Sequence, residues 1–224
     1  MTVRRNKAVA LEMLRERDLD GLTAWSESVR SPFRVLLSHA YNPDELIRWR
    51  TVEAVGRVAA RLGRDDLEPV RELIRRLLWL MNDESGGLCR IAPELIAETL
   101  ARVPELIREY AGILPMFLIE EPFERGTHWA LWRLSCVRPR LFAGDAVKLK
   151  ESLNDPDPAI RAYSALALGV IAEPITDEDS VRLREDAGEL NLYDLGSGEL
   201  TVITVGALMN QPPSWCTEEA ERAA

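Results

Sequence analysis

The stretch that decides the fold is Asp155-Pro-Asp-Pro-Ala-Ile-Arg-Ala-Tyr-Ser-Ala-Leu-Ala-Leu-Gly169. It aligns without a gap with Asn42-Pro-Asp-Glu-Leu-Ile-Arg-Trp-Arg-Thr-Val-Glu-Ala-Val-Gly56, so that Pro, Asp, Ile, Arg, Ala and Gly coincide. Each copy opens with an acid or amide and a proline, which favour the first turn of a helix because they cap free N–H groups and fix φ. Two copies of such a turn, far apart in one chain, predict an internal repeat.

Two further segments, 82–97 and 121–136, fit the same pattern when one residue is inserted after the turn. Apolar residues with a helical period precede and follow each of the four turns, so we predict four helix-turn-helix pairs. The predicted helices cover residues 32–40, 44–62, 66–81, 87–103, 104–119, 123–137, 140–153 and 157–172.

These turns resemble those of HEAT-repeat proteins, and residues 155–169 are similar to the variant named after phycobilisome lyases. The strings Trp79-Leu-Met-Asn-Asp-Glu-Ser-Gly-Gly87 and Phe123-Glu-Arg-Gly126, the latter followed by Trp129, also resemble an uncharacterised bacterial HEAT-repeat group. The resemblance implies an all-α fold, a HEAT-like α-solenoid (α-α superhelix) of about five helix pairs that pack on their neighbours. It implies no particular activity.

The segments that flank the repeats have patterns of their own. Residues 1–30 are predicted to form an N-terminal capping helix pair, and residues 31–172 hold the four repeats. Residues 173–210 combine a helix with two alternating segments around Leu195-Gly-Ser-Gly198, which predicts a β-hairpin. We expect this hairpin to cap the last repeat, with pairing to a second copy in a homodimer as the alternative. The acidic tail, residues 211–224, is predicted to be disordered.

Charge is distributed unevenly along the chain. Residues 1–112 carry 18 basic and 18 acidic side chains, whereas residues 113–224 carry 10 and 19, which accounts for the net charge of −9. A protein that grips a phosphate backbone needs a local excess of Lys and Arg, so nucleic acid is disfavoured as a partner. Apolar runs fall short of the roughly 20 residues that a bilayer span needs. The N-terminus has no apolar segment typical of a secretory signal, so we predict a cytoplasmic protein without membrane contact.

The residue types that carry chemistry are few and scattered. Cys89, Cys136 and Cys216 form no CxxC pair, and with His39 and His128 they provide no recognised metal-ligand spacing. We therefore expect three free thiols, no metal and no cofactor. The sequence also has no nucleophile elbow and no dinucleotide fingerprint, which makes a binding protein a better expectation than an enzyme.

Helical geometry predicts one binding surface. In the second helix of each pair, the position two residues after the first core isoleucine is rotated by about 200° from it and therefore points away from the core. The aligned positions there and one turn further on include Trp49, Glu53, Arg90, Glu94, Trp129 and Arg133. Trp and Arg are enriched at interaction hot spots, so we expect this row to be exposed on the concave face and to bind a protein or peptide. The alternative is that the tryptophans fill gaps between helices.

A second candidate site surrounds the irregular turn Asn82-Asp-Glu-Ser-Gly-Gly87. Free N–H groups at the start of the next helix could hold an anionic ligand group, and a simple capped turn is the alternative. The candidate pocket residues are Asn82, Asp83, Glu84, Arg125 and His128. Paired carboxylates near a histidine would suffice for general acid–base chemistry in a small-molecule enzyme.

The HEAT resemblance raises one further alternative. HEAT-like alkylpurine DNA glycosylases cradle a duplex in a basic concave surface with Trp and a carboxylate, and Trp49, Trp129 and Glu53 or Glu94 resemble that arrangement. The acidic charge balance argues against it. The expected function is therefore a non-enzymatic protein- or peptide-binding scaffold or adaptor, with a HEAT-like DNA glycosylase or nucleic-acid binder and a small-molecule enzyme as alternatives.

Overall fold

A computed structural model describes residues 3–82 and 87–223 of the chain. It divides into two compact units, Met1–Gly112 and Ile113–Ala224, so the predicted repeat segment 31–172 is shared between them. Both units are built mainly of helices, and the second also holds a two-stranded antiparallel sheet. The prediction of a mainly helical chain with a small hairpin is confirmed, while the stacking of its helix pairs into a solenoid stays a prediction.

The first unit is organised around one long helix. Its helices are α1 Val3–Glu16, α2 Leu19–Glu27, α3 Pro32–Leu37, α4 Glu45–Gly63, α5 Glu68–Met81, α6 Ala92–Arg102 and α7 Ile107–Tyr110. Helix α4 is central, because α1, α2, α3, α5 and α6 all pack against it. The helical period of α4 assigns six positions to the core, of which Leu62 is half-buried and the others are buried, namely Ile47, Thr51, Ala54, Val55 and Val58.

The second unit has a central helix of its own. Its elements are α8 Glu124–Val137, α9 Ala146–Glu151, α10 Pro158–Val170, α11 Asp177–Arg184, β1 Glu189–Tyr193, β2 Leu200–Thr204, α12 Val205–Asn210 and α13 Ser214–Ala223. Helix α10 contacts α8, α9, α12 and β1. From Ala159 to Leu168 every side chain of α10 except Arg161 is buried. A helix that is apolar nearly all round belongs in the interior of its unit.

The two segments that align without a gap build the same turn. Asp44 caps α4 by accepting a hydrogen bond from the Leu46 amide at 2.9 Å, and Asp157 caps α10 in the same way from the Ala159 amide at 2.8 Å. An aspartate at this position satisfies an N–H group that the helix itself leaves unpaired. The shared sequence therefore reflects a shared local structure.

An arginine closes each of these turns from the helix side. Arg48 donates through Nη1 to the carbonyl oxygens of the two residues that begin its turn, at 2.8 and 3.0 Å. Arg161 donates through Nη1 to the two equivalent carbonyl oxygens, at 2.7 and 3.0 Å. The common Pro, Asp, Ile and Arg of the alignment thus stand for one structural motif present in both units.

The predicted hairpin is present in the second unit. Strands β1 and β2 pair antiparallel, with Glu189 opposite Thr204 and Tyr193 opposite Leu200. Strand β1 packs on α10 and β2 packs on α12. This packing provides the support that a two-stranded sheet needs, because an isolated hairpin is marginally stable in water.

Two of the predicted helices are shorter than their patterns suggest. Over residues 104–119 a 3₁₀ turn, the short α7 and a second 3₁₀ stretch, Ala111–Phe117, replace one helix. Pro115 lies in that stretch, where it lacks the N–H group that an α-helix requires. Over residues 140–153, α9 is only six residues long and has a 3₁₀ turn on each side.

The C-terminal segment departs most from expectation. The predicted disorder of residues 211–224 is wrong, because residues 214–223 form α13, which packs on α8. A disulfide joins Cys136 of α8 to Cys216 of α13, with Cα atoms 5.1 Å apart. The expectation of free thiols is therefore wrong for these two cysteines, while Cys89 is free and buried. Over the described residues, no helix combines the length and apolarity that crossing a membrane requires.

Candidate functional site

The part of the predicted binding row that lies in the first unit is mostly covered. Glu53 is fully buried and Glu94 is 8% exposed, whereas Trp49 is half-buried and Arg90 is exposed. Arg17, between α1 and α2, donates to both carboxylate oxygens of Glu53, at 3.0 and 2.9 Å. The expectation of an exposed row is thus wrong at Glu53 and Glu94. Helix α4, which carries Glu53, has neighbours on the side that its period marks as outward, and α6, which carries Glu94, packs on both α4 and α5.

The part of the row that lies in the second unit is entirely buried. Trp129 is 1% exposed and Arg133 has no exposed surface. Helix α10 packs against α8, and α13 packs against it as well. Exposure was therefore wrongly predicted for both residues, and the alternative, a tryptophan that fills space between helices, describes Trp129.

Trp215 is the aromatic anchor of the contact between α13 and α8. Its ring centroid lies 5.0 Å from that of Trp132, and Trp132 stacks on Tyr163 of α10 at 5.6 Å with an interplanar angle of 14°. The Arg133 guanidinium lies 5.3 Å from the Trp215 ring centroid. Aromatic pairs and cation–π contacts of this kind each contribute about 0.5–2 kcal/mol. Four side chains from three helices thus form one cluster around Trp215.

An ion pair completes the contact. Arg133 donates through Nη1 to one carboxylate oxygen of Glu219, and its Nη2 lies 3.4 Å from the other. A guanidinium without exposed surface needs a carboxylate partner, because an uncompensated buried charge is strongly destabilising. Glu219 follows Trp215 by four residues, so both side chains lie on the same face of α13. That face is the one that meets α8.

The disulfide adds a covalent link to the same contact. Cys136 and Cys216 are 80 residues apart in the chain. In the loop-entropy treatment, closing a loop of this length stabilises the folded state by about 4–5 kcal/mol. A helix as short as α13, with ten residues, is marginal by itself in water. Helix α13 therefore depends on α8 for its structure.

The residues of the predicted pocket have structural roles where the structure describes them. Asp83 and Glu84 lie outside the described residues. Asn82 ends α5 in the first unit and donates through Nδ2 to the Leu78 carbonyl at 2.8 Å. In the second unit, Arg125 donates to the Asp157 carboxylate from Nε at 2.9 Å and from Nη2 at 2.6 Å, which ties the start of α8 to the start of α10.

His128 is a buried link within the second unit. Its Nδ1 lies 2.7 Å from the Glu124 carbonyl oxygen, so Nδ1 carries the proton and donates it. Its Nε2 lies 2.9 Å from Ser152 Oγ, and that hydroxyl lies 3.1 Å from the Lys148 carbonyl. Burial lowers the pKa of His128 below its usual value. With 1% of its surface exposed, this neutral imidazole joins α8 to the 3₁₀ turn after α9 and is closed to a substrate.

The groups that a metal ion or a thiol reaction would need are also dispersed or shielded. Across residues 3–82 and 87–223, no three His, Cys, Asp or Glu side chains form a group that could hold a metal ion. Burial and, to a smaller extent, the nearby Glu94 carboxylate raise the pKa of the Cys89 thiol to about 11. Cys89 is therefore a protonated, inert thiol at neutral pH.

The contact residues that sequence reasoning missed are in the tail. Trp215, Cys216 and Glu219 form the contact face of α13, in a segment whose acidic and alanine-rich composition indicates disorder. The available signal was a tryptophan and a cysteine side by side in an otherwise polar tail, followed by an acid at helical spacing. This pattern indicates a helix that packs against another part of the protein, but it does not indicate which part.

Comparison with known proteins adds a distant relative. The chain is 28% identical over 164 residues to a protein from Archaeoglobus fulgidus described as an uncharacterized protein, and the match covers 71% of this chain and 84% of that protein. No protein-family model matches the sequence. No solved structure matches it either. Any functional conclusion therefore rests on the geometry of the molecule.

Proposed function

We propose that the protein is a non-enzymatic protein- or peptide-binding scaffold in which the α8 face of the second unit binds an amphipathic helix. One observation carries the proposal: α8 already holds a short helix, α13, in a manner typical of peptide recognition. Helix-in-groove recognition uses a few anchor residues at helical spacing on one face of the bound segment. Trp215 and Glu219 are two such anchors, four residues apart.

The chemistry of the α8 face defines the partner. Trp132 presents an aromatic surface and Arg133 presents a buried positive charge, so a bound helix should carry an aromatic side chain and an acid one turn later. Tryptophan and arginine are the residue types that most often dominate binding energy. Helix α13 has this pattern and occupies the face, so a partner helix has to displace it.

Displacement is governed by the short connection before α13. Only residues 211–213 separate α12 from α13, and a short tether keeps the local concentration of α13 at α8 in the millimolar range, on the order of that for short linkers. The disulfide strengthens this advantage further. Partner binding is therefore favoured when the Cys136–Cys216 bond is reduced.

The wider architecture belongs to the same proposal. The identical turns at Asn42 and Asp155 support a HEAT-like array of helix pairs, in which a bound segment lies along the inner helices. A cytoplasmic location and a homodimer contact through the β1–β2 hairpin remain part of this proposal. Trp129 and Arg133 lie buried within the second unit, and Glu53 is buried in the first unit beside Arg17, so these three side chains form no exposed row.

The test is binding of the tail sequence in trans. A fluorescein-labelled peptide of residues 211–224, with Cys216→Ser, is titrated with full-length chain that carries Trp215→Ala and Cys216→Ser, and anisotropy is recorded. In this chain the native helix is a weak competitor, so we expect saturable binding of the peptide. The matched control chain carries Cys216→Ser alone and keeps its own anchor, so it should bind the peptide at least about tenfold more weakly.

Two variants of the peptide sharpen the test. Replacing Trp215 by Ala in the peptide should abolish measurable binding, and replacing Glu219 by Gln should weaken binding by about tenfold, because one charge-assisted hydrogen bond is lost. Equal affinity of all three peptides, or no binding of the unsubstituted one, would show that α8 does not recognise a helix by these anchors.

A further inference from the structure

A cavity of about 530 Å³ in the second unit lies between α10, α11 and the C-terminal segment. Its walls are mainly apolar and include Trp132, Leu166, Leu183 and Met209. Small-molecule sites have volumes of roughly 300–1,000 Å³, apolar walls and a few polar groups. The cavity is thus large enough for a ligand of modest size.

Two polar side chains on α11 line this cavity. Ser180 and Arg184 are four residues apart, so they share one face of the helix. Arg184 is exposed, which places it where the cavity meets solvent. The nearby Arg161 and Arg182 are paired with Asp186 and Asp179, whereas no carboxylate among the described residues pairs with Arg184.

A buried donor also lines the cavity. Trp132 has no exposed surface, and its indole Nε1–H has no hydrogen-bond partner among the residues that the structure describes. A buried donor without a partner costs about 1–3 kcal/mol. Because Trp132 has no accessible surface, a ligand does not reach this donor, and the polar contacts that the cavity offers are those of α11.

We infer that this cavity binds a small amphiphilic carboxylate, with its apolar body against Leu166, Val170 and Met209 and its carboxylate on Arg184 and Ser180. The Arg184 guanidinium balances a single negative charge, and the Ser180 hydroxyl can donate a hydrogen bond to the same carboxylate. The acidic excess of residues 113–224 disfavours a polyanion such as a nucleotide. This inference goes beyond helix binding and does not depend on it.

Dodecanoate and dodecanol, used as 1:1 probes below the concentration at which they aggregate, test the inference on the full-length oxidised chain. Isothermal titration calorimetry measures their affinities and stoichiometries. We expect one dodecanoate per chain, and dodecanol bound at least about tenfold more weakly because it lacks the charge that pairs with Arg184.

Two variants separate the charged contact from the apolar cavity. Arg184→Gln should weaken dodecanoate binding by about tenfold and leave dodecanol binding unchanged. Arg138→Gln is the matched control, because Arg138 is an exposed arginine of the same unit that does not line the cavity, and it should leave both affinities unchanged. Equal loss of dodecanoate binding in both variants would mean that only the overall charge matters and would overturn the inference.

Gly169→Leu blocks the cavity itself. Gly169 lies in α10 and lines the cavity, and a Cβ atom at this position meets no heavy atom within 4 Å. Leucine also favours helix more than glycine does, so the melting temperature should stay the same or rise. We expect this variant to lose dodecanoate and dodecanol binding together. Wild-type affinity in Gly169→Leu, or no dodecanoate binding by the wild-type chain, would refute the cavity as the site.

Discussion

Glu53 of the first unit and Arg133 of the second occupy aligned positions of their helices, and both side chains are fully buried with an opposite charge in contact. Arg17 reaches Glu53 from a segment 36 residues earlier, whereas Glu219 reaches Arg133 from 86 residues later. Each unit thus buries one charged side chain on a central helix and neutralises it with an ion pair, and the signs of the two charges are reversed between the units. A charge buried on a central helix requires a covering segment that carries its counterion.

The two covering segments differ in how firmly they belong to their units. Helices α1 and α2 pack on each other and on α4, and α1 also packs on α3. Helix α13 is a single short helix whose main contact is α8, supplemented by the Cys136–Cys216 bond. The first cover is part of its unit's core, whereas the second is a single helix, and the proposed function requires it to leave α8.

The largest expected effect comes from the disulfide. Cys136→Ser with Cys216→Ser should lower the free energy of unfolding of the second unit by about 4–5 kcal/mol, because the unfolded chain regains the entropy of a long loop. Urea denaturation of the oxidised wild type and the double variant measures this difference. Cys89→Ser is the control, since Cys89 forms no disulfide. A loss below about 1 kcal/mol would show that the bond contributes little to holding α13.

The two buried ion pairs should contribute different amounts to the free energy of unfolding. Arg17→Gln leaves the buried Glu53 carboxylate without a main counterion in a fixed core, which should cost about 3 kcal/mol. Glu219→Gln should cost less, about 1–2 kcal/mol, because α13 can shift and allow water to reach Arg133. Thermal or urea denaturation of both variants gives the two values. The comparison between the units fails if Glu219→Gln costs more than Arg17→Gln.

The smallest expected effect is a pH dependence that both units share. Burial lowers the pKa values of His39 and His128, so each is neutral when folded and takes up a proton more readily when unfolded. Their contribution to stability is complete above the unfolded pKa near 6.5 and is lost as pH falls, with a slope of at most about 1.4 kcal/mol per pH unit for each. Melting curves between pH 7.5 and 5 should therefore shift less for His128→Gln than for wild type. His39→Gln should reduce the shift in the same way, because burial lowers its pKa as well. Identical shifts in wild type and His128→Gln would show that folding does not lower the pKa of His128.

The local sequence predicted the elements whose stabilising contacts are also local. Asp44 and Asp157 cap helices that begin beside them, and the alternation from Glu189 onward predicts a strand whose partner is a few residues away. The helical period of α4 likewise identified one of its buried faces. Nothing beyond neighbouring residues was needed for these predictions.

The predictions that failed depend on contacts distant in sequence. Helix α13 forms because Trp215 and Cys216 meet α8, and no local pattern encodes that meeting. The period of α8 marks Trp129 and Arg133 as outward only on the assumption that one face of the helix meets protein. A central helix has neighbours on several sides, so its period cannot distinguish a second buried face from a surface.

The disulfide requires an oxidising environment, whereas the predicted cytoplasmic location is a reducing one. Disulfides persist in oxidising compartments and are rare in reducing cytosol. In a reducing cytosol, α13 would be held by Trp215, Arg133 and Glu219 alone. The competition between α13 and a partner helix would then be decided by non-covalent contacts.

Hydrogen–deuterium exchange followed by mass spectrometry, on the full-length chain before and after reduction, tests the central claim most directly. In the reduced chain, the amides of α13 should exchange much faster than those of α1, α2 and α10, because the helix opens while the rest of the second unit stays folded. Oxidation should restore protection of α13 and leave α1 and α2 unchanged. Protection of α13 equal to that of α10 in the reduced chain would contradict the claim that α13 is a displaceable occupant of the α8 face.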